Sequence, residues 1–305
     1  MINYSIIIPH FSKGGTELLD RAISSIPIRS DIEIIVVDNS ITPINDDLYI
    51  GNPSVKIIYS DNNRGAGGAR NEGMSIAEGR WLLFMDADDF FVERAFDSFD
   101  KYLEDDSDVI FFKPTSCFSD SMQAANRHYV FCAEIDYYLK TRNEFGLRYR
   151  EFDVPWAKMI KREFVNTNKI TFEEVPASND VMFSLKTGFA ANKISASPDT
   201  VYCVTVTEGS ITKTPSLRNL ESIFEVKMRK NKLLKDNGYR RECSVLSTIY
   251  KSRKFGPKVF FHFISRALLT GNIFVGFERW PDTFIDIIKA LVSGKQRKGV
   301  TSKLR

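Results

Sequence analysis

An α/β fold, with a mostly parallel central sheet flanked by helices, is predicted by three observations. Apolar strand-like runs alternate with helical stretches from residue 4 to residue 113. Each run is apolar nearly throughout, as in Ile6-Ile7-Ile8 and Ile34-Ile35-Val36-Val37, which is what a strand covered on both faces requires. Acids come directly after the runs: Asp38, Asp61, Asp86 and Asp88. Open α/β sheets bind ligands beyond the carboxyl ends of their strands, so acids gathered there point to one site.

The first strand covers residues 4–8 and ends at Pro9. Leu18, Leu19, Ala22, Ile23 and Ile26 come next at helical spacing, with Gly15 or Thr16 as the cap and Pro27 just past the end. Strands at 32–37 and 55–59 come after it, then a small-residue helix over 66–77 that Gly79 stops. A fourth strand at 81–85 runs into Asp86-Ala87-Asp88-Asp89, and a helix over 93–103 leads to a fifth strand at 109–113. From 117 to 150 aromatic and charged residues mix without a clear period, so an excursion or loop region is expected. Helices at 163–168 and 179–191 and a strand at 201–206 are next. Leu220, Ile223, Phe224 and Val226 form the inner face of a charged helix over 217–234. Past Gly256-Pro257, two aromatic-rich helices at 259–269 and 281–292 and a basic tail at 295–305 are expected as a helical C-terminal extension.

Composition fits this outline. The 305 residues, 43% apolar and 27% charged, suit one large domain or two small ones and exclude a disordered chain, a collagen and a disulfide scaffold. No apolar run reaches the ~18 residues that a transmembrane helix needs, and the opening residues lack the basic region of a signal peptide. Cys117, Cys132, Cys203 and Cys243 are far apart and form no CxxC pair, as expected of reduced, packing cysteines in the cytoplasm. Charge is split unevenly. Residues 211–305 hold 21 Lys and Arg against 7 Asp and Glu, whereas the preceding 210 residues hold 21 against 32. The C-terminal part should therefore meet an anionic partner, such as a lipid surface, a nucleic acid or an acidic polymer.

Asp86-Ala87-Asp88 is the strongest chemical signal. Two carboxylates at the end of a buried strand are costly unless a cation or hydrogen bonds compensate them. Mg²⁺ or Mn²⁺ that also holds phosphate oxygens suits such a pair; Asp88 or Asp89 as the cap of the next helix is the plainer alternative. Asp38 is either the cap of its own turn or an acceptor for the imide N–H of a uracil base. Residues 65–73 are rich in glycine but carry Arg70 where a dinucleotide fingerprint has its third glycine, and they come after the third strand rather than the first. The small residues let the backbone approach the sheet, and Arg70 is left free for a phosphate or ribose. Phe11, just after the first strand, is placed to stack on a base. His10, His128 and His262 share no ligand spacing and read as structural or surface residues.

Together these segments resemble the family 2 glycosyltransferases, which have the GT-A fold. Ser5-Ile6-Ile7-Ile8-Pro9 is similar to the family's opening strand, and Glu33-Ile34-Ile35-Val36-Val37-Asp38-Asn39-Ser40 to the strand whose last aspartate holds the base. Asn63-Arg64-Gly65 through Ala69-Arg70-Asn71-Glu72-Gly73 resembles its N-x-G…A-R-N-x-G segment, and Trp81 through Asp89 its D-x-D strand. Less tightly, Pro155-Trp156-Ala157-Lys158 resembles an acceptor-side segment, and Asn179-Asp180-Val181-Met182-Phe183 its E-D-x-x-F, with Asn179 in place of the usual glutamate. The arginine often found shortly after the tyrosine of the closing strand, here Tyr202, is absent.

The resemblance implies an inverting transfer from a UDP-sugar to a hydroxyl of a glycan or lipid-linked acceptor. Asp180 would be the general base, and Asp88 would hold Mn²⁺ or Mg²⁺. Asp86 would hold the ribose or share the metal, Asp38 would read the base with Pro9 or Phe11 packed on it, and Arg70 would help to bind the donor. It divides the chain into a transferase domain over 1–212 (a nucleotide-sugar half at 1–113, an acceptor half at 114–212) and a basic helical region over 213–305. That last region either packs on the domain or anchors it at an anionic cytoplasmic membrane surface, and no nucleic acid is expected. A non-catalytic nucleotide-sugar-binding protein of the same fold and a sugar nucleotidyltransferase are the alternatives.

Overall fold

The computed structural model describes residues 1–11, 15–45, 49, 51–60, 64–150, 152–206 and 216–275. Asp61 and Asn63, the second C-terminal helix at 281–292 and the tail at 295–305 lie outside the described residues. The chain divides into two compact units, Met1–Lys213 and Thr214–Arg305.

The first unit is built on a mixed, mostly parallel sheet. Its strands are β1 (Tyr4–His10), β2 (Ile32–Asp38), β3 (Val55–Tyr59), β4 (Trp81–Phe84), β5 (Phe90–Phe91), β6 (Val109–Phe118), β7 (Lys158–Lys161) and β8 (Ile194–Val206). Among the described residues they form one sheet in the order β3-β2-β1-β4-β7-β6-β8-β5. The pairs β1–β2, β1–β4, β2–β3 and β6–β8 are parallel; β4–β7, β6–β7 and β5–β8 are antiparallel. Every residue of β2 is buried, and so is every residue of β1 but Pro9, whereas β3, expected to be covered like them, has Lys56 and Tyr59 exposed and the rest half-buried because it ends the strand order. In β2 the buried acid Glu33 is reached by the Ser5 hydroxyl at 2.5 Å and by Lys56 at 2.8 Å.

Helices α1 (Glu17–Ser24) and α2 (Gly65–Ile76) join these strands, and α2 packs on β1 and β2. The small residues of α2 have a steric reason. A Cβ on Gly73 would lie 2.6 Å from Ile7 Cγ2, and one on Gly67 would lie 2.0 Å from the Glu173 carbonyl oxygen. The helix is thereby wedged between the sheet and the 172–175 segment, which Asn71 clasps by donating to the Phe172 carbonyl (3.0 Å) and accepting from the Phe172 N–H (2.8 Å).

Two stretches depart from expectation. The region 117–150, read as an excursion, contains the end of β6, helix α4 (Tyr129–Thr141) after the short α3 (Ala95–Asp100), and a π-helical turn over Gly146–Arg150. The stripe of α4 is Phe131, Ile135 and Tyr138, and exposed Tyr129, Val130 and Tyr137 disguise it in the sequence. The other is β7, only four residues long and bounded by lysines. Its Lys158 is buried with the ammonium 2.8 Å from the Phe152 carbonyl and against the Phe111 and Phe152 rings, so a charged residue lies inside the sheet layer. Helices α5 (Arg162–Thr167) and α6 (Val181–Ala190) complete the unit.

The second unit contains α7 (Leu217–Asp236), α8 (Leu246–Ser252), which the sequence reading missed, and α9 (Pro257–Leu269). Ser216 caps α7 by accepting from the Asn219 N–H at 3.1 Å, and Pro257 occupies the first turn of α9, where its missing N–H costs nothing. Leu220, Phe224, Met228, Val245, Ile249 and Phe263 form a core of its own. Among the described residues no helix is long and apolar enough to cross a membrane.

Candidate functional site

The site is assembled from the carboxyl ends of β1, β2 and β4, the buried face of α2, the start of α6 and the end of β8. β4 leads into Asp86, Asp88 and Asp89, each of which has a carboxylate oxygen within 4.8 Å of one from the other two. Three acids so close need compensation, and the structure supplies it unequally.

Asp89 is buried and held on both oxygens. It accepts from the Tyr202 hydroxyl at 2.7 Å and from the Thr205 N–H at 2.6 Å, both on β8. Tyr202 in turn accepts from the Asp86 N–H at 3.1 Å, and the Thr205 hydroxyl donates to the Asp88 carbonyl at 2.9 Å. No helix begins at Asp88 or Asp89. The next element is β5, which pairs with β8, so the third acid locks the loop onto the sheet instead of capping α3.

Asp86 is paired with Arg70, whose Nη2 lies 2.5 Å from Oδ1. Asp88 receives less. Arg21 donates to its backbone carbonyl at 2.5 Å, but burial, reinforced by the Asp86 charge, pushes its carboxyl above the ordinary range, with Arg127 and Arg21 acting weakly in the opposite sense. Hard oxygen donors with excess negative charge match Mg²⁺ or Mn²⁺. Asp88, with the remaining acceptor capacity of Asp86, is the part of the cluster that fits such an ion, because both are partly exposed whereas Asp89 is buried against β8.

The sequence left Arg70 free to meet a phosphate or ribose. The structure corrects this. The close approach of α2 sinks Arg70 to 5% exposure, where it donates to Asp86 and, through Nη1, to the Asn179 side-chain oxygen at 2.8 Å. Its guanidinium also lies over the Phe172 ring, 5.3 Å from the centroid, and Phe172 stacks on Phe183 of α6 at 3.8 Å. Arg70 thus joins the end of β4 to the residue before Asp180, and the asparagine found where the family has glutamate is its second acceptor.

Asp180 occupies the N-cap position of α6, but its side chain makes no capping hydrogen bond. Its carboxyl is pushed up to about 6, chiefly by burial; Arg70 opposes the shift, while Asp153 and Asp86 add to it. A carboxylate spared from capping, with a pKa moved toward neutrality, has the properties of a general base.

Pro9, Phe11 and Asp38 come together at neighbouring strand ends, His10 being in register with Asp38. Phe11 is 56% exposed and Pro9 half-buried. Asp38 is buried and caps its own turn, accepting from the Ser40 N–H at 3.0 Å and the Ile44 N–H at 2.9 Å. A carboxylate has about four lone-pair sites, so these bonds leave room for a further donor. Sequence reasoning missed Tyr202 and Thr205 as partners of Asp89. It also missed Arg127, which reaches the Thr205 carbonyl at 3.5 Å from the segment before α4 and brings a cation to the strand whose expected arginine is absent.

Known proteins share this outline. The family described as Glycosyl transferase family 2 matches residues 5–169. The succinoglycan biosynthesis protein ExoO of Rhizobium meliloti is 26% identical over 206 residues, 63% of this chain and 58% of its own. The poly(ribitol-phosphate) beta-N-acetylglucosaminyltransferase TarS of Staphylococcus aureus is 26% identical over 212 residues, 66% of this chain and 35% of its own. The chain therefore spans between a third and three fifths of these relatives. The crystal structure of S. aureus TarS 1–349 in complex with UDP-GlcNAc superposes with a TM-score of 0.60 at 20% identity, covering 87% of this chain and 72% of that one, which shows a common fold.

Proposed function

The chain belongs to glycosyl transferase family 2, and from that premise we propose that it transfers a sugar, with inversion, from a UDP-sugar to a hydroxyl of a glycan or lipid-linked acceptor. The observation that carries this reading is the link made by Arg70, which holds Asp86 of the Asp86–Asp88 cluster on one side and Asn179, the residue before the uncapped Asp180, on the other. UDP as the nucleotide is supported by the fold shared with a UDP-GlcNAc complex, and a glycan acceptor by the name of ExoO.

In this mechanism Asp38 accepts from the base while Pro9 and Phe11 pack against it, and Asp86 orients the ribose side of the donor. Arg70 acts from below, keeping Asp86 in place. Mg²⁺ or Mn²⁺ held by Asp88 and Asp86 would neutralise the charge that grows on the departing diphosphate. Asp180 takes the proton of the acceptor hydroxyl as that oxygen attacks the anomeric carbon. We assign the reaction to the unit Met1–Lys213 and, because the four cysteines are widely spaced in the sequence and form no CxxC pair, to a reducing compartment, the cytoplasm. The transferred sugar is a hexosyl or N-acetylhexosaminyl group.

The test is a panel of UDP- and GDP-sugars, scored first by thermal shift with Mn²⁺ and then by acceptor-dependent release of the nucleotide. A UDP-sugar should raise the melting temperature and be turned over. Stabilisation without turnover on any glycan or lipid-linked acceptor would reduce the protein to a nucleotide-sugar binder.

A further inference from the structure

The second unit presents a surface whose chemistry the transfer reaction does not explain. From Cys243 to Val275 the chain carries Lys251, Arg253, Lys254, Lys258 and Arg266 and not one Asp or Glu. Large apolar side chains stand outside the core on the same stretch: Tyr250 is 67% exposed, Phe261 64%, Leu268 50% and Leu269 85%.

Their spacing places them on defined faces. On α9, Lys258, Phe261, Ser265 and Leu268 recur every three or four residues and so share one side, while Phe263 and Ala267 are buried on the other. On α8, exposed Leu246 and Tyr250 are four residues apart, with Ile249 turned into the core. Arg266 is already paired with Glu225 of α7 at 2.9 Å, but exposed aromatic and aliphatic side chains beside lysines, with no acid on α8 or α9, are the composition of a helix face that sits at a headgroup boundary. Helix α9 has 13 residues, short of the ~20 that span a bilayer, so it can only lie in the surface plane.

We propose that the α8–α9 face docks on an anionic lipid bilayer, its apolar side chains entering the acyl boundary and its lysines and arginines meeting acidic headgroups. A nucleic acid or acidic polymer would use the charges and leave Phe261, Leu268 and Leu269 without a role. This surface is independent of the assigned transfer and is tested without it.

The experiment is sedimentation of the full chain with phosphatidylcholine vesicles, with and without phosphatidylglycerol, at low and high salt. The wild type should sediment with the anionic vesicles only and be released by high salt. Replacing Lys254 and Lys258 by Gln should weaken binding by about fivefold per charge. The triple change Phe261→Ser, Leu268→Ser, Leu269→Ser should weaken it by about tenfold or more, with an unchanged circular-dichroism melting curve showing that the unit is folded. The proposal is overturned by sedimentation with neither vesicle, by equal sedimentation with both, or by charge variants that lose binding while the serine variant keeps it. It is equally overturned if the apolar face proves to hold a second copy of the chain, seen as self-association that the serine variant abolishes and vesicles do not compete. Turnover is not read in this assay, so failure here leaves the transferase assignment standing, and failure of turnover leaves this surface standing.

Discussion

The two acidic ends of the site are built on opposite plans. At the end of β4 the acids are crowded and mostly committed: Asp89 is fixed on both oxygens by β8, Asp86 is paired with Arg70, and only Asp88 retains uncompensated charge. At the start of α6 a single carboxylate occupies the position where a helix would use it, yet makes no capping bond. Hydrogen-bond partners, more than the identity of the residue, decide which acid is structural and which is available for chemistry. Residues of the same type, Asp89 and Asp180, differ in that the first is bonded on both oxygens and the second makes no capping bond.

The strongest way to break this contrast is Asp180→Asn, which removes the proposed proton acceptor. Turnover should fall by about 10²–10⁴ with donor affinity retained; near wild-type turnover would remove Asp180 from the mechanism. Next in size is Asp88→Asn. We expect kcat/KM to drop by ~10² and Mn²⁺ to lose its effect on UDP affinity in calorimetry, and an unchanged Mn²⁺ response would place the ion elsewhere.

The pH profile sharpens the comparison. Asp180 must be ionised to act, and its pKa is pushed up to about 6, so kcat/KM should fall below that value by about tenfold per pH unit. A profile flat down to the ordinary carboxylate range would contradict the burial argument.

The smallest effects are on stability, and they should have opposite signs. An acid whose pKa is raised on folding costs stability when ionised. The cost begins above the unfolded value and is complete once pH exceeds about 6. Asp180→Asn should therefore raise stability at pH 7.5 by about 1–2 kcal/mol and leave it little changed at pH 4. Tyr202→Phe strips Asp89 and the Asp86 N–H of a partner and should lower stability by about 1–2 kcal/mol. Denaturant melts of the two variants beside the wild type check both signs.

Legibility in the sequence tracks the range of the interactions involved. The first four strands and α2 are local matters of apolar runs and small residues, and they lie close to where the pattern puts them. Asp86, Asp88 and Asp180 were found because each adjoins a well-marked element, with the family resemblance assigning the roles. The partners that distinguish them were not legible. Tyr202 reads as one more strand residue until β8 is seen against the β4 loop, and Arg70 reads as a surface cation until Gly67 and Gly73 let its helix sink. Helix α4 escaped because exposed aromatics blurred its stripe, and β7 because four residues ending in lysines lack the alternation of a strand.

That short strand has a consequence for how the chain can be divided. β7 pairs with β4 on one side and with β6 on the other, and the strand order offers no other link between those two. A polypeptide stopped anywhere between 113 and 157 would own the first five strands and part or all of the sixth, yet could not join β6 to the paired strands β3-β2-β1-β4. It would show the open edge of β4, Trp81-Leu82-Leu83-Phe84, to solvent, an invitation to pair with another chain. The nucleotide-side segment is thus not a module that can be expressed or exchanged by itself. On the ribosome it waits for residues 158–161, and any chimera must carry that insertion with it.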